Sequence, residues 1–271
     1  MTHAIDLSRY LHRIGWEGAP PIMSIESMDA IARLHTASIP FENLNPFLGL
    51  PVSLDLADIE RKLVDESRGG YCFEQNRLLA EVLGTIGFEV ECLAARVLWG
   101  QPEDTVTMRS HMVLKVHTPD GPRLADVGFG SNSLSASLAL EDGLAQATPH
   151  GSYQLVRRGE NWFARALVQG DWTTLYRFDL QPQHAVDYEA PNHYTATHPK
   201  SHFTTGLICA RALPGQRLTL RNREFGIHPV GGKSERREMT SNEEIREVIE
   251  HQFSIRVPDA GLLMKRLAAL P

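Results

Sequence analysis

Apolar residues recur at helical spacing through the first third of the chain. Leu7, Tyr10, Leu11 and Ile14 fall on one face of a helix that Gly15 stops. Beyond a loop holding Pro20 and Pro21, Ser27 is placed to cap a second helix, lined by Met28, Ile31 and Leu34 and ended by Pro40. Pro40-Phe41-Glu42-Asn43-Leu44 mixes apolar and polar residues between Pro40 and Pro46 and reads as a constrained loop. A third helix over 55–64 carries Leu56, Ile59, Leu63 and Val64. A fourth opens at Cys72, with Leu79, Val82, Leu83 and Ile86 in one stripe before Gly87 breaks the pattern.

From there the period shortens. Residues 88–99 read as a strand and 100–108 as a polar loop. Strands over 111–116 and 124–128 flank the turn Pro119-Asp120-Gly121-Pro122, and a hairpin pairs 153–156 with 162–167 across Arg158-Gly159. A small antiparallel barrel or folded sheet fits this run. The segment 182–200 holds Pro182, Pro191 and Pro199 and few apolar residues, so it is expected to be irregular and to cover something rather than support it. Strand-like runs at 206–210 and 217–220 and a helical pattern over 242–253 complete an α+β chain. The division expected is a helical domain over 1–87, a β-barrel domain over 88–200 and an α/β domain over 201–271, in keeping with 271 residues at roughly 100–200 per domain.

Composition excludes more than it assigns. With 42% hydrophobic and 22% charged residues the chain is an ordinary globular one, and its formal net charge of −6 speaks against a polyanion partner. The densest basic patch, from Lys233 to Arg237, is broken by Ser234 and Glu235, so no nucleic acid is expected. His3, Asp6 and Arg9 are unlike a signal peptide, and no apolar run approaches the ~20 residues of a membrane span. Three cysteines without a CxxC pair suit a reducing compartment, and a cytoplasmic protein with free thiols is expected. His184, His193, His198 and His202 lack the spacing of a helical metal pair, and no metal is expected.

Chemistry concentrates at Arg68-Gly69-Gly70-Tyr71-Cys72-Phe73-Glu74-Gln75-Asn76. Two glycines are expected to let the chain turn tightly before a helix that Cys72 opens. At a helix N-terminus, unpaired N–H groups and the helix dipole favour a thiolate over a thiol. A cysteine so placed is either a nucleophile or a small apolar residue under a helix. A base and an orienting group decide between the two. With Thr118-Pro119-Asp120-Gly121 as a four-residue turn, Val113 lies opposite Asp126 and His111 opposite Gly128, so His111 and Asp126 share a face as diagonal neighbours about 7–8 Å apart. A two-residue turn at Asp120-Gly121 would instead set Asp126 opposite Lys115. An aspartate between Ala125 and Val127 is costly unless paired. Cys72, His111 and Asp126 thus supply nucleophile, base and orienter.

These residues, with Ile39-Pro40-Phe41-Glu42-Asn43-Leu44 upstream and Asp126-Val127-Gly128-Phe129-Gly130 downstream, resemble the arylamine N-acetyltransferases. The resemblance covers residues 7–140 by motif and the remainder by length and order of elements. It implies a helical N-terminal lobe, a central antiparallel β-barrel and a C-terminal α/β lid around a papain- or transglutaminase-like Cys-His-Asp core. It also implies ping-pong acetyl transfer from acetyl-CoA through acetyl-Cys72 to arylamines, hydrazines or arylhydroxylamines, in a monomer or homodimer, with neither a metal nor a tightly bound cofactor. Phe41 and Phe129 would line the acceptor pocket or the core. Gly128, Gly130 and Ser131 would help seat the pantetheine and pyrophosphate, there being no Walker A or GxGxxG motif. Arg68 and Glu42 would pair beneath the active-site loop as structural support. Competing readings are an amide synthase of natural-product assembly on the same fold, a thiol protease or transglutaminase, which needs an open groove, and a binding module with a vestigial site.

Overall fold

A computed structural model describes residues 4–270; His3, named above, lies outside them. Helices α1 (Leu7–Ile14) and α2 (Ile25–Ser38) open the chain. Ser24, rather than Ser27, caps α2, because its side chain accepts from the Ser27 N–H at 3.2 Å and the helix therefore starts at Ile25. The expected loop at 40–44 is instead a two-residue strand, β1 (Phe41–Glu42), running into a short helix, α3 (Leu44–Leu48). Pro46 sits in the first turn of α3, where a missing N–H costs nothing. Helix α4 (Leu56–Glu60), capped by Asp55, widens into a π-helical turn over Arg61–Asp65. Helix α5 (Cys72–Ile86) then runs to Gly87, whose φ of 113° is open to glycine.

Eight antiparallel strands follow: β2 (Glu89–Val97), β3 (Arg109–His117), β4 (Arg123–Ala125), β5 (Leu138–Ala139), β6 (Ala145–Thr148), β7 (Gly151–Arg158), β8 (Asn161–Val168) and β9 (Asp171–Pro182). Their order, β5-β4-β3-β2-β9-β8-β7-β6, makes a sheet that curls into a nearly closed barrel, with Asp142 after β5 bridging to Leu155 on β7. The β3–β4 register is that of the four-residue turn, Leu114 opposite Ala125 and Lys115 opposite Leu124. However, β4 stops at Ala125, short of the expected 128, because the Asp126 side chain accepts from the Gly128 N–H and bends the chain out of the ladder. One face of the sheet, with Ala94, Met112 and Leu114, packs on α5; Leu93, Ala95 and Val113 fill the barrel.

The segment 182–200 is mostly helical, a 3-10 turn over Ala185–Tyr188 leading into α6 (Glu189–Thr197). Pro191 lies in the first turn of α6, where it is tolerated. The segment supports rather than covers: Asn192 Oδ1 accepts from the Tyr71 hydroxyl and Tyr188 packs on Phe73. After α7 (His202–Thr205), strands β10 (Ile208–Leu213), β11 (Gln216–Arg221), β12 (Glu224–Pro229) and β13 (Glu235–Glu238) form a second sheet. Helix α8 (Asn242–Glu247) with its π-helical extension over Val248–Gln252, and α9 (Ala260–Ala268), cover it. The last two strands and α9 have no counterpart in the sequence reading. Strand β1 joins this sheet through Phe41 opposite Ala210, and α3 contributes Leu44, Phe47 and Leu48 to its core. Among the described residues no helix is long and apolar enough to cross a membrane.

Candidate active site

The loop before α5 needs its glycines for close approach. Neither has a positive φ, contrary to the tight turn expected; a Cβ on Gly69 would stand 1.9 Å from the Pro40 carbonyl oxygen, and one on Gly70 2.6 Å from Glu74 Oε2. That Glu74 carboxylate reaches back to accept from the Tyr71 N–H at 3.2 Å and is held by Lys62 Nζ at 2.6 Å. The helix therefore starts at a fixed point, and its first residue is Cys72.

Cys72 is 5% exposed, and its Sγ lies 3.6 Å from the Ser110 carbonyl oxygen, next to His111. His111 Nε2 stands 2.8 Å from Asp126 Oδ2, leaving Nδ1 as the ring's other polar atom. The structure thus brings Cys72, His111 and Asp126 together from a helix start, a strand and a strand end. Burial alone would discharge the imidazole, but the Asp126 carboxylate and the Cys72 sulfur outweigh it and push the His111 pKa up to about 10. Asp126 is buried too, yet His111, Asn76 and the Gly128 N–H hold its carboxyl below the usual range. A Cβ on Gly128 would sit 2.6 Å from Cys72 Cα, so only glycine lets the strand end pass this close.

Aromatic rings surround His111. Phe129 meets the His111 ring edge-on at 5.2 Å and Tyr176 at 5.3 Å, and Tyr176 lies 5.0 Å from His111. Phe41 is buried, 6.1 Å from Phe203, and Gly130 lies against its ring. Ser131 is exposed, and among the described residues its hydroxyl accepts from the Asn132 amide at 3.4 Å. Beneath the loop, Arg68 pairs with Glu42 Oε1 through Nε at 2.9 Å and a terminal nitrogen at 2.6 Å, both residues being buried. Burial would raise the Glu42 pKa, but Arg68 and Lys62 bring it below normal.

Sequence reasoning missed two polar supports. Asn76, one turn after Cys72, donates to the Met112 carbonyl at 2.6 Å and to Asp126 Oδ1 at 2.8 Å, and accepts from the Val127 N–H at 3.0 Å. Its spacing of four from Cys72 was the available signal. Gln75 donates to the carbonyls of Ile39, Pro40 and Gly70, so its oxygen faces His35 Nε2 at 2.6 Å; His35 Nδ1 then accepts from the Tyr10 hydroxyl at 2.8 Å. Nothing in the sequence marks that pairing. Elsewhere, Glu89, Glu91 and His117 bring potential ligand atoms close together, but Glu91 already meets Lys115 and His117.

A family model described as N-acetyltransferase matches residues 24–262. This chain belongs to the arylamine N-acetyltransferase family. It is 42% identical to the arylamine N-acetyltransferase of Mycolicibacterium smegmatis, over 94% of each chain. It is 36% identical to a Salmonella typhimurium protein named arylamine N-acetyltransferase / N-hydroxyarylamine O-acetyltransferase, over 92% of this chain and 89% of that one. Among solved structures, Mycobacterium marinum arylamine N-acetyltransferase in complex with CoA superposes with a TM-score of 0.92 at 36% identity, covering 97% of this chain and 98% of that one. In this arylamine N-acetyltransferase family member the helical lobe, the barrel and the C-terminal α/β lobe stand as the resemblance implied.

Proposed function

We propose that this protein transfers the acetyl group of acetyl-CoA to arylamines and hydrazines, and to the oxygen of arylhydroxylamines, by way of acetyl-Cys72. The observation that carries this reading is the buried His111–Asp126 pair at 2.8 Å beside a cysteine at a helix N-terminus. The Cys72 thiolate attacks the thioester carbonyl, the carbon–sulfur bond to coenzyme A breaks, and the His111 imidazolium protonates the departing thiolate. The amine nitrogen then attacks acetyl-Cys72, neutral His111 takes its proton, and the Cys72 thiolate is released. Asp126 holds the imidazole so that one nitrogen faces the sulfur and stabilises its positive form. The Cys72 N–H at the start of α5 is suited to receive the developing oxyanion.

Phe129 beside His111 and Phe41 beside Gly130 are read as walls for the aromatic acceptor, and the 128–131 loop as helping to seat the pantetheine and pyrophosphate. A thiol that is 5% exposed favours a small acceptor over a polypeptide. Residues 1–87, 88–200 and 201–271 are read as the nucleophile-bearing, base-bearing and closing parts. Incubation with acetyl-CoA and no amine, followed by intact mass and peptide mapping, tests the proposal. One acetyl group on Cys72, discharged by added arylamine, is expected; acetylation of Cys92, Cys209 or a lysine alone would remove the basis for the mechanism.

A further inference from the structure

A chain of buried polar side chains that the transfer steps do not use ends at the loop before Cys72. Gln75, one turn along α5 from Cys72, aims its amide nitrogen at three carbonyl oxygens, that of Pro40 at 2.9 Å and those of Ile39 and Gly70 at 3.3 Å. Its own oxygen lies 2.6 Å from His35 Nε2, and His35 Nδ1 lies 2.8 Å from the Tyr10 hydroxyl. Gln75, His35 and Tyr10 are all fully buried.

Only one arrangement of protons satisfies this chain. Turned the other way, the Gln75 amide would set its oxygen against three carbonyl oxygens, so its nitrogen faces the loop and its oxygen faces His35. His35 Nε2 then carries the ring proton, and Nδ1 accepts from the Tyr10 hydroxyl. Burial lowers the His35 pKa to about 4 and keeps the ring neutral, as that tautomer requires. Three side chains are thus fixed in series, from α1 through α2 to α5.

The carbonyls that Gln75 holds belong to two segments. Ile39 and Pro40 lead into Phe41, whose ring lies against Gly130, and Gly70 leads into Tyr71 and Cys72. The segments lie side by side: Phe41 bridges to Gly70, and the Glu42 N–H donates to the Gly70 carbonyl at 3.0 Å. Arg68 and Glu42 tie them together four residues before Cys72, whereas Gln75 ties them at Gly70, two residues before it.

We propose that Gln75, held by His35 and Tyr10, is a positioning residue for acetyl transfer that sets the Phe41 segment against the Cys72 loop. The assignment rests on the acetyl-transfer reading above and on Phe41 as a wall for the aromatic acceptor. The thiol is carried by α5 and the Phe41 ring by β1, so the gap in which an aromatic amine meets acetyl-Cys72 depends on how those two segments are joined. Among the described residues the Gln75 side chain bonds only to the three carbonyls and to His35, while Asp126 is held by Asn76 and the Gly128 N–H. Loss of Gln75 should therefore disturb the seating of an aromatic acceptor more than the Cys72–His111–Asp126 chain itself.

The test compares two ways of discharging acetyl-Cys72 in a single turnover: by 4-methoxyaniline, and by hydroxylamine, a nucleophile with no ring to seat. Gln75→Met keeps the side chain's length and removes its amide, and the ratio of the first rate to the second should fall about tenfold or more, since misplacement by an ångström can cost about 10²-fold. His35→Leu, which removes the donor to Gln75, should lower the ratio as well and should add little to Gln75→Met. His35→Gln, which can still donate to Gln75, should restore most of it. The His35 pair serves as the test if Gln75→Met does not fold. A lower Tm with the ratio within twofold of wild type would make the chain a support of the fold alone and overturn the assignment, and equal losses in His35→Leu and His35→Gln would overturn the part given to His35. Phe41→Ala in the same series separates the levels: if it lowers the ratio and the Gln75 and His35 variants do not, only the positioning assignment fails; if none of them does, the reading of Phe41 as a wall fails with it. A wild-type protein that forms no acetyl-Cys72 would overturn both.

Discussion

Asn76 Nδ2 stands 2.8 Å from Asp126 Oδ1, so the helix that begins with Cys72 also grips the carboxylate that holds His111. One rigid turn of helix thus sets both ends of the Cys72–His111–Asp126 chain. Asn76→Ala removes all three hydrogen bonds of that side chain, of which the one to the charged Asp126 acceptor is worth roughly 1.5–3 kcal/mol. The rate of Cys72 acetylation, followed by stopped-flow release of coenzyme A, should fall about 10- to 100-fold. An unchanged rate in a folded variant would show that Asp126 is held well enough without it.

Asp126→Asn nearly preserves volume but replaces an acceptor with an amide that can select the wrong imidazole tautomer. In a serine triad the comparable change costs about 10⁴-fold. A cysteine is intrinsically a stronger nucleophile than a serine and depends less on its third member, so a fall of about 10²- to 10⁴-fold in both half-reactions is expected, out of proportion to any change in Tm. Near wild-type rates would exclude Asp126 as the orienter.

Two buried histidines should shape stability against pH in opposite directions. Burial lowers the His35 pKa to about 4, so the stability held by its neutral form is present above the unfolded value near 6.5 and is lost as pH falls toward 4. His111, raised to about 10, contributes stability that is complete below about 6.5 and is lost as pH climbs through 10. His35→Gln should therefore flatten the acid limb of a Tm–pH profile, an effect on the order of 3 kcal/mol, and His111→Gln the alkaline limb. Each variant leaving its limb as steep as in wild type would contradict this assignment.

Arg68→Met strands the Glu42 carboxylate in the interior. Breaking a buried pair from one side typically costs about 3–5 kcal/mol, whereas replacing both partners with apolar groups is often close to neutral. Urea unfolding should accordingly show a large loss for Arg68→Met and a smaller one for the double change Arg68→Met with Glu42→Leu. Equal losses would mean that the pair contributes net stability of its own.

The start of α5 and the shared face of His111 and Asp126 were legible, because a helical stripe and strand parity fix them locally, whereas the β3–β4 register stayed open between a four-residue and a two-residue turn until the folded ladder set Leu114 opposite Ala125. Helix α6 was hidden: Pro191 and scarce apolar residues suppress the helical signal, and the segment is ordered by Asn192 and Tyr188 meeting α5 and the loop before it. Asn76 was within sight on the helix, yet its partners, the Met112 carbonyl and the Val127 N–H, are fixed only by the folded sheet. Both glycines before Cys72 signalled crowding rather than a turn, which residue type alone cannot distinguish.

Strand β1 links distant parts of the chain, with Phe41 opposite Ala210 on one side and bridged to Gly70 on the other. Such a pairing closes a very long loop, and contacts of this kind form late in folding. During synthesis the segment around Phe41 must wait for residues 208–213 to emerge before its second edge is satisfied. The strand that braces the loop before Cys72 is thus completed only after most of the chain exists, and a nascent chain would carry Cys72 on a loop paired along one edge alone.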